Sequence, residues 1–150
     1  MRRQYIDVRV ETTARPAALY ALLRDGSSWP VWSPIESFEL ERAGEGEKEG
    51  VGAVRVFRTG RITSREEIVE LVPDRRLSYV LLSGLAIRAY RADVDLETGD
   101  GRTTIRWRSS FTSKVPGLGG VYRRALERFI RQCAEGLAAH AVRQGGPAAA

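Results

Sequence analysis

Two adjacent glutamates, Glu66 and Glu67, carry the most suggestive chemistry in the chain. They lie in a stretch whose side chains alternate between two faces. Glu66 shares parity with Ile62 and Ile68, whereas Glu67 shares it with Val69 and Leu71. A carboxyl turned into an apolar interior has a raised pKa and can act as a general acid or base near neutral pH. Parity alone leaves open which of the two faces inward. It also leaves open the plainer reading, an ion pair from Glu66 to Arg55 or Arg65 across neighbouring strands.

Other chemistries are poorly supplied. His140 is the only histidine and falls near the end of a helical pattern, where it serves as a C-terminal charge or a packed side chain. No nucleophile-elbow motif accompanies it, so a Ser-His-Asp or Cys-His arrangement is not expected. Cys133 is the only cysteine and sits on an apolar helix face. It forms no internal disulfide and is read as a buried structural thiol. No metal motif is present, and Gly117-Leu118-Gly119-Gly120 lacks the preceding strand that a phosphate-binding loop needs. Neither a metal nor a cofactor is expected.

What remains is a set of aromatic residues placed by strand parity. Ile105, Trp107, Ser109 and Phe111 share one face of a strand; Tyr90, Ala92, Val94 and Leu96 share one face of the strand before it. Leu77, Tyr79 and Leu81 do the same one strand earlier. Tyr122, Leu126 and Phe129 approach from a helix, and Trp29 and Trp32 stand where two short helices would plug one end. Each aromatic taken singly reads as core filling. Together they also describe an apolar cavity with a few hydroxyls, which is the composition of a ligand pocket. The candidate ligand-binding set is Trp32, Phe57, Tyr79, Tyr90, Trp107, Phe111, Tyr122 and Phe129.

The elements that must position these groups follow from periodicity. Leu118, Val121, Tyr122, Ala125, Leu126, Phe129, Ile130, Cys133, Ala134, Leu137, Ala138 and Ala141 recur at helical spacing, which predicts one long helix over 118–142. Tyr5 to Thr12 alternates as a half-buried strand. Thr13-Ala14-Arg15-Pro16 then starts a helix, with Thr13 as its expected cap and Pro16 in its first turn, that continues over Ala17 to Arg24; Trp29 to Trp32 follows as a very short one capped by Ser27 or Ser28. Strands are expected over 35–42, 53–59, 62–72, 77–83, 87–97 and 102–112, with Thr98-Gly99-Asp100-Gly101 as a hairpin turn. Ala43 to Val51 is rich in glycine and glutamate without an apolar anchor, so it reads as an exposed, mobile loop. Residues 143–150 read as a disordered tail. A helix with a continuous apolar stripe needs a concave partner, and a curved antiparallel sheet supplies one. The fold class is therefore α+β: seven antiparallel strands wrapped on a C-terminal helix, with two short helices after the first strand and an internal pocket.

The chain is 150 residues long with 43% hydrophobic and 29% charged residues, consistent with one soluble domain. No apolar run reaches a membrane span, and the N-terminus lacks a signal-peptide core, so a cytoplasmic location is expected. The net charge of +5 raises nucleic acid as a partner. The basic residues, all arginine except Lys48 and Lys114, mostly alternate with acids along strands, which is a solvated sheet face. Nucleic acid is accordingly not expected as a partner.

This order of elements resembles the START-related helix-grip superfamily, and within it the SRPBCC, polyketide cyclase/dehydrase-like proteins. The resemblance is carried by Arg15-Pro16-Ala17-Ala18-Leu19-Tyr20-Ala21-Leu22-Leu23 with Trp29 and Trp32, by Gly52-Ala53-Val54-Arg55, by Arg65 to Pro73 followed by Arg76-Leu77-Ser78-Tyr79, and by Arg102 to Trp107. It implies a single domain over 1–142 with a cavity between sheet and helix. It also implies two readings of function. One is a binding protein for a small hydrophobic ligand, aromatic, polyketide or lipid-like. The other is a cofactor-independent cyclase, aromatase or dehydratase, in which the cavity folds the substrate, Arg55 polarises a carbonyl and Glu66 or Tyr79 moves protons.

Overall fold

The structure, a computed structural model, describes residues 2–145. Strand β1 (Gln4–Thr12) leads into helix α1 (Pro16–Arg24), a 3-10 turn (Gly26–Ser28) and helix α2 (Trp29–Trp32). Six strands follow: β2 (Ser37–Arg42), β3 (Val54–Thr59), β4 (Ile62–Val72), β5 (Arg76–Ser83), β6 (Ile87–Gly99) and β7 (Arg102–Ser113). Helix α3 (Gly119–Gly145) closes the chain. It runs three residues beyond the expected end, so Arg143–Gly145 are helical, and the remainder of the expected tail lies outside the described residues.

All seven strands form one antiparallel sheet in the order β1-β7-β6-β5-β4-β3-β2. Consecutive strands joined by tight turns are neighbours, as short connections require. The helical connection carries the chain from β1 at one edge to β2 at the other. The helix caps differ from expectation. Arg15, not Thr13, precedes α1 and makes no side-chain cap, because Pro16 at the first position removes one of the orphan donors. Asp25 caps the 3-10 turn by accepting from Ser27 N–H at 3.1 Å. Ser28 precedes α2 without capping it.

Helix α3 crosses the concave face in two unlike halves. Its C-terminal half buries Cys133, Ala134, Leu137, Ala138 and Ala141, with Ile130 buried just before the midpoint. Small side chains there let the backbone approach closely. Gly136 shows how closely, since a Cβ at that position would stand 1.8 Å from the carbonyl oxygen of Trp32. The N-terminal half carries the large residues Tyr122, Leu126 and Phe129, which are only half-buried. Leu118 and Val121 belong to the same stripe by spacing, yet are exposed. Among the described residues, no helix is long and apolar enough to cross a membrane.

Candidate functional site

The gap under the N-terminal half of α3 is a cavity of about 390 Å³. The sheet supplies its floor through strand parity. Trp107 of β7, Tyr90 of β6 and Tyr79 of β5 point into it, and Tyr122, Leu126 and Phe129 of α3 form the roof. Trp29 closes the inner end, packed edge-on against Trp107 with ring centroids 5.9 Å apart. Trp107 Nε1–H donates to the Tyr79 hydroxyl at 3.3 Å, so the indole leaves no buried donor unmet. The ring of Tyr90 lies 6.1 Å from that of Tyr79. Burial pushes both phenols above their ordinary pKa, and the Glu66 carboxylate nearby adds to that rise. Both are therefore protonated at neutral pH and available as hydrogen-bond donors.

Glu66 is the one carboxylate among the described residues lining this space. Residue register places it opposite Leu81 of β5 on one side and Arg55 of β3 on the other. Glu66 as a residue is half-buried, since it faces the cavity, but its Oε1 is sealed from solvent and has no hydrogen-bond partner among the described residues. Desolvation raises its pKa to about 7, and the positive charge of Arg55 offsets only part of that rise. At neutral pH such a carboxyl is present in both protonation states, so it can give or take a proton. Glu67 turns the other way and meets Arg42 at 3.7 Å. Cys133 also lines the cavity. Burial pushes its thiol well above the ordinary value, which leaves it unreactive.

Arg55 is wholly buried and makes no ion pair with Glu66. Its Nη1 donates to the Leu23 carbonyl at 2.9 Å and to Glu49 Oε1 at 3.3 Å. Its guanidinium stacks over the rings of Trp29 and Phe57 at 5.2 and 5.3 Å. The same Glu49 oxygen accepts from Gly26 N–H at 2.8 Å. Burial lowers the pKa of Arg55, and the charges of Glu49 and Glu66 oppose the shift. The loop over 43–51 is exposed along most of its length, as expected, and it is held by a polar anchor. Glu49 ties it to the α1–α2 corner, while Glu47 meets Arg24 at 2.7 Å.

A family profile described as polyketide cyclase / dehydrase and lipid transport matches residues 3–142. The chain belongs to that family. No curated protein matches it by sequence at a significant level. Among solved structures, it superposes on a START superfamily protein from Mycobacterium smegmatis with a TM-score of 0.79 at 12% identity, over 93% of this chain and 98% of that one. Norcoclaurine synthase from Thalictrum flavum, in complex with dopamine and hydroxybenzaldehyde, gives 0.73 at 14% identity, over 95% and 88% of the two chains. The protein XoxI from Bacillus cereus gives 0.75 at 18% identity, over 94% and 97%. At these identities the likeness is one of fold.

Within this member of the polyketide cyclase / dehydrase and lipid transport family, five of the aromatic candidates meet at the cavity: Tyr79, Tyr90, Trp107, Tyr122 and Phe129. The other three are buried but do not line it. Trp32 packs on Trp29 at 4.7 Å, Phe57 lies behind Trp29 at 4.9 Å, and Phe111 sits 6.3 Å beyond Tyr90. Arg55 is likewise outside the lining, screened by Trp29 and Phe57. The wall also uses aliphatic residues that no single motif marks, such as Leu81, Leu85, Ile87 and Ile130.

Proposed function

We propose that the chain binds a small hydrophobic molecule, aromatic, polyketide-derived or lipid-like, between its sheet and the N-terminal half of α3. The observation that carries this is the cavity itself. Its 390 Å³ falls within the range of small-molecule sites, about 300–1,000 Å³. The lining is aromatic and aliphatic, with the Tyr79 and Tyr90 hydroxyls and Glu66 as the few polar groups that would orient a ligand. The family description and the two aromatic molecules bound by the norcoclaurine synthase of similar fold support a ligand of this kind.

The test is native mass spectrometry of the purified protein, followed by titration of the stripped protein with a fluorescent apolar probe. A retained small-molecule mass, or saturable probe binding weakened by Phe129→Ala, is expected. A bare protein mass together with no saturable probe binding would overturn the reading.

Glu66 favours a second reading, a cyclase or dehydratase that uses the cavity to fold its substrate. Its unpartnered Oε1 can take a proton from an acidic carbon or return one to a leaving hydroxyl, and Tyr79 can donate to a carbonyl oxygen. Arg55 does not line the cavity, so it contributes through its charge beside Glu66 rather than by contact with substrate. On this reading Glu66→Gln abolishes turnover of a polyketide-like substrate while leaving its binding intact. Turnover at the wild-type rate in that variant would refute it.

A further inference from the structure

The cavity is bordered on its outer side by three segments: the β3–β4 turn, the β5–β6 connection, and the link from β7 into α3. Thr59 and Ile62 come from the first, Leu85 and Ala86 from the second, Tyr122 follows the third, and all line the cavity. The segments touch one another. Lys114 N–H donates to the Ala86 carbonyl at 2.9 Å. Gly84 presses so closely on β4 that a Cβ there would stand 2.2 Å from the Thr63 carbonyl oxygen. They form one continuous rim.

The rim combines two properties that a surface exposed to water alone has no reason to combine. Of the eight large hydrophobic residues exposed among the described residues, five fall on it: Ile62, Leu82, Val115, Leu118 and Val121. Val121 is 57% exposed. Residues 58–64, 81–88 and 114–124 also contain six basic residues and no aspartate or glutamate. Arg58 and Arg123 reach acids elsewhere, Glu39 at 3.6 Å and Glu127 at 3.8 Å. Arg61, Arg88, Lys114 and Arg124 are exposed and have no carboxylate partner among the described residues. The outer sheet face differs, for there Arg76, Arg106 and Arg108 are matched by Asp95 and Asp7.

We propose that this rim docks on the surface of an anionic lipid bilayer, with the cavity mouth turned toward the lipid. The protruding apolar side chains would enter the boundary between headgroups and acyl chains, and the four unpaired cations would meet lipid phosphates. Neither alternative partner fits as well. A second copy across a two-fold axis would set like charges against like charges. A nucleic acid would engage the cations and leave the apolar side chains in water. The proposal concerns the outside of the mouth and holds whatever the cavity contains. It gives a hydrophobic ligand a route that avoids crossing water.

Sedimentation with vesicles tests it, comparing pure phosphatidylcholine with a phosphatidylcholine–phosphatidylglycerol mixture. The full chain is expected to partition into the mixed vesicles on the order of tenfold better. Two double variants separate the components: Leu118→Asp with Val121→Asp, and Arg61→Glu with Lys114→Glu. Each is expected to lower partitioning on the order of tenfold or more, with the thermal midpoint and apolar-probe affinity unchanged. All four positions lie outside the cavity lining, so loss of docking with intact probe binding is distinct from failure of the binding reading. Equal partitioning into both vesicle types, no partitioning at low salt, or variants that behave as wild type would each overturn the proposal. So would a concentration-dependent dimer abolished by the Leu118 and Val121 changes, or duplex DNA bound more tightly than the mixed vesicles.

Discussion

Replacing Glu66 with glutamine should make the protein more stable at alkaline pH and leave it nearly unchanged in acid. The carboxyl has a folded-state pKa of about 7 against an ordinary 4.5, because burial disfavours its charged form. A raised carboxyl pKa means that the folded state holds the proton more tightly than the unfolded state. Stability from this group is therefore fully present below pH 4.5 and is lost as pH climbs to about 7. The difference between 4.5 and about 7 corresponds to about 3 kcal/mol, all of it expressed above pH 7. Glutamine has nearly the same shape and cannot ionise, so the variant escapes the penalty. Urea denaturation midpoints of both proteins, measured from pH 4.5 to 8.5, should diverge toward about 3 kcal/mol in favour of the variant. Parallel profiles would refute the reasoning, because they would mean that Glu66 ionises in the folded state as easily as in water.

Trp107→Ala should cost less than the 3–5 kcal/mol typical of a packed core aromatic, since one side of the indole already faces empty space, and apolar-probe affinity should fall by about tenfold. Denaturation and fluorescence titration of the same samples check both parts. Glu49→Ala strands the buried Arg55 guanidinium and should destabilise by about 3 kcal/mol, read as a lower urea midpoint with an unchanged slope. Gly136→Ala forces a Cβ against the Trp32 carbonyl and should cost about 1–3 kcal/mol or more. A thermal midpoint equal to wild type would show that α2 can move away from α3.

Much of the architecture was legible because each element depends on a local period. Alternation along β5, β6 and β7 placed Tyr79, Tyr90 and Trp107 on the inner face, and the structure puts all three there. Parity reports a face, however, and not a distance along the strand. Phe111 and Phe57 share the inner face but fall beyond the ends of the cavity, and Trp32 packs behind Trp29. Helical spacing has the same limit. It set Leu118 and Val121 in line with Leu137, but could not show where the sheet stops short of the helix. The choice between Glu66 and Glu67 depends on which face of a twisted, bulged strand is covered, which neighbouring strands decide. Glu49 was out of reach altogether. It sits in an aperiodic loop, and its role arises only when α1, the loop and β3 converge on Arg55.

The two halves of α3 also set where this protein can change without failing. In the C-terminal half, Cys133, Ala134, Leu137, Ala138 and Ala141 are buried in the core and Gly136 meets the Trp32 carbonyl, so an altered volume at those positions is a defect. In the N-terminal half, Tyr122, Leu126 and Phe129 border empty space, and a larger or smaller side chain alters the shape of a void rather than the fit of a core. Mutational drift is therefore tolerated most where it would most alter what the protein holds. A lineage built on this scaffold can exchange one cargo for another while its foldedness stays fixed. A designer seeking a new cargo would diversify those three positions together with Leu81 and Leu85, and leave residues 133–141 untouched.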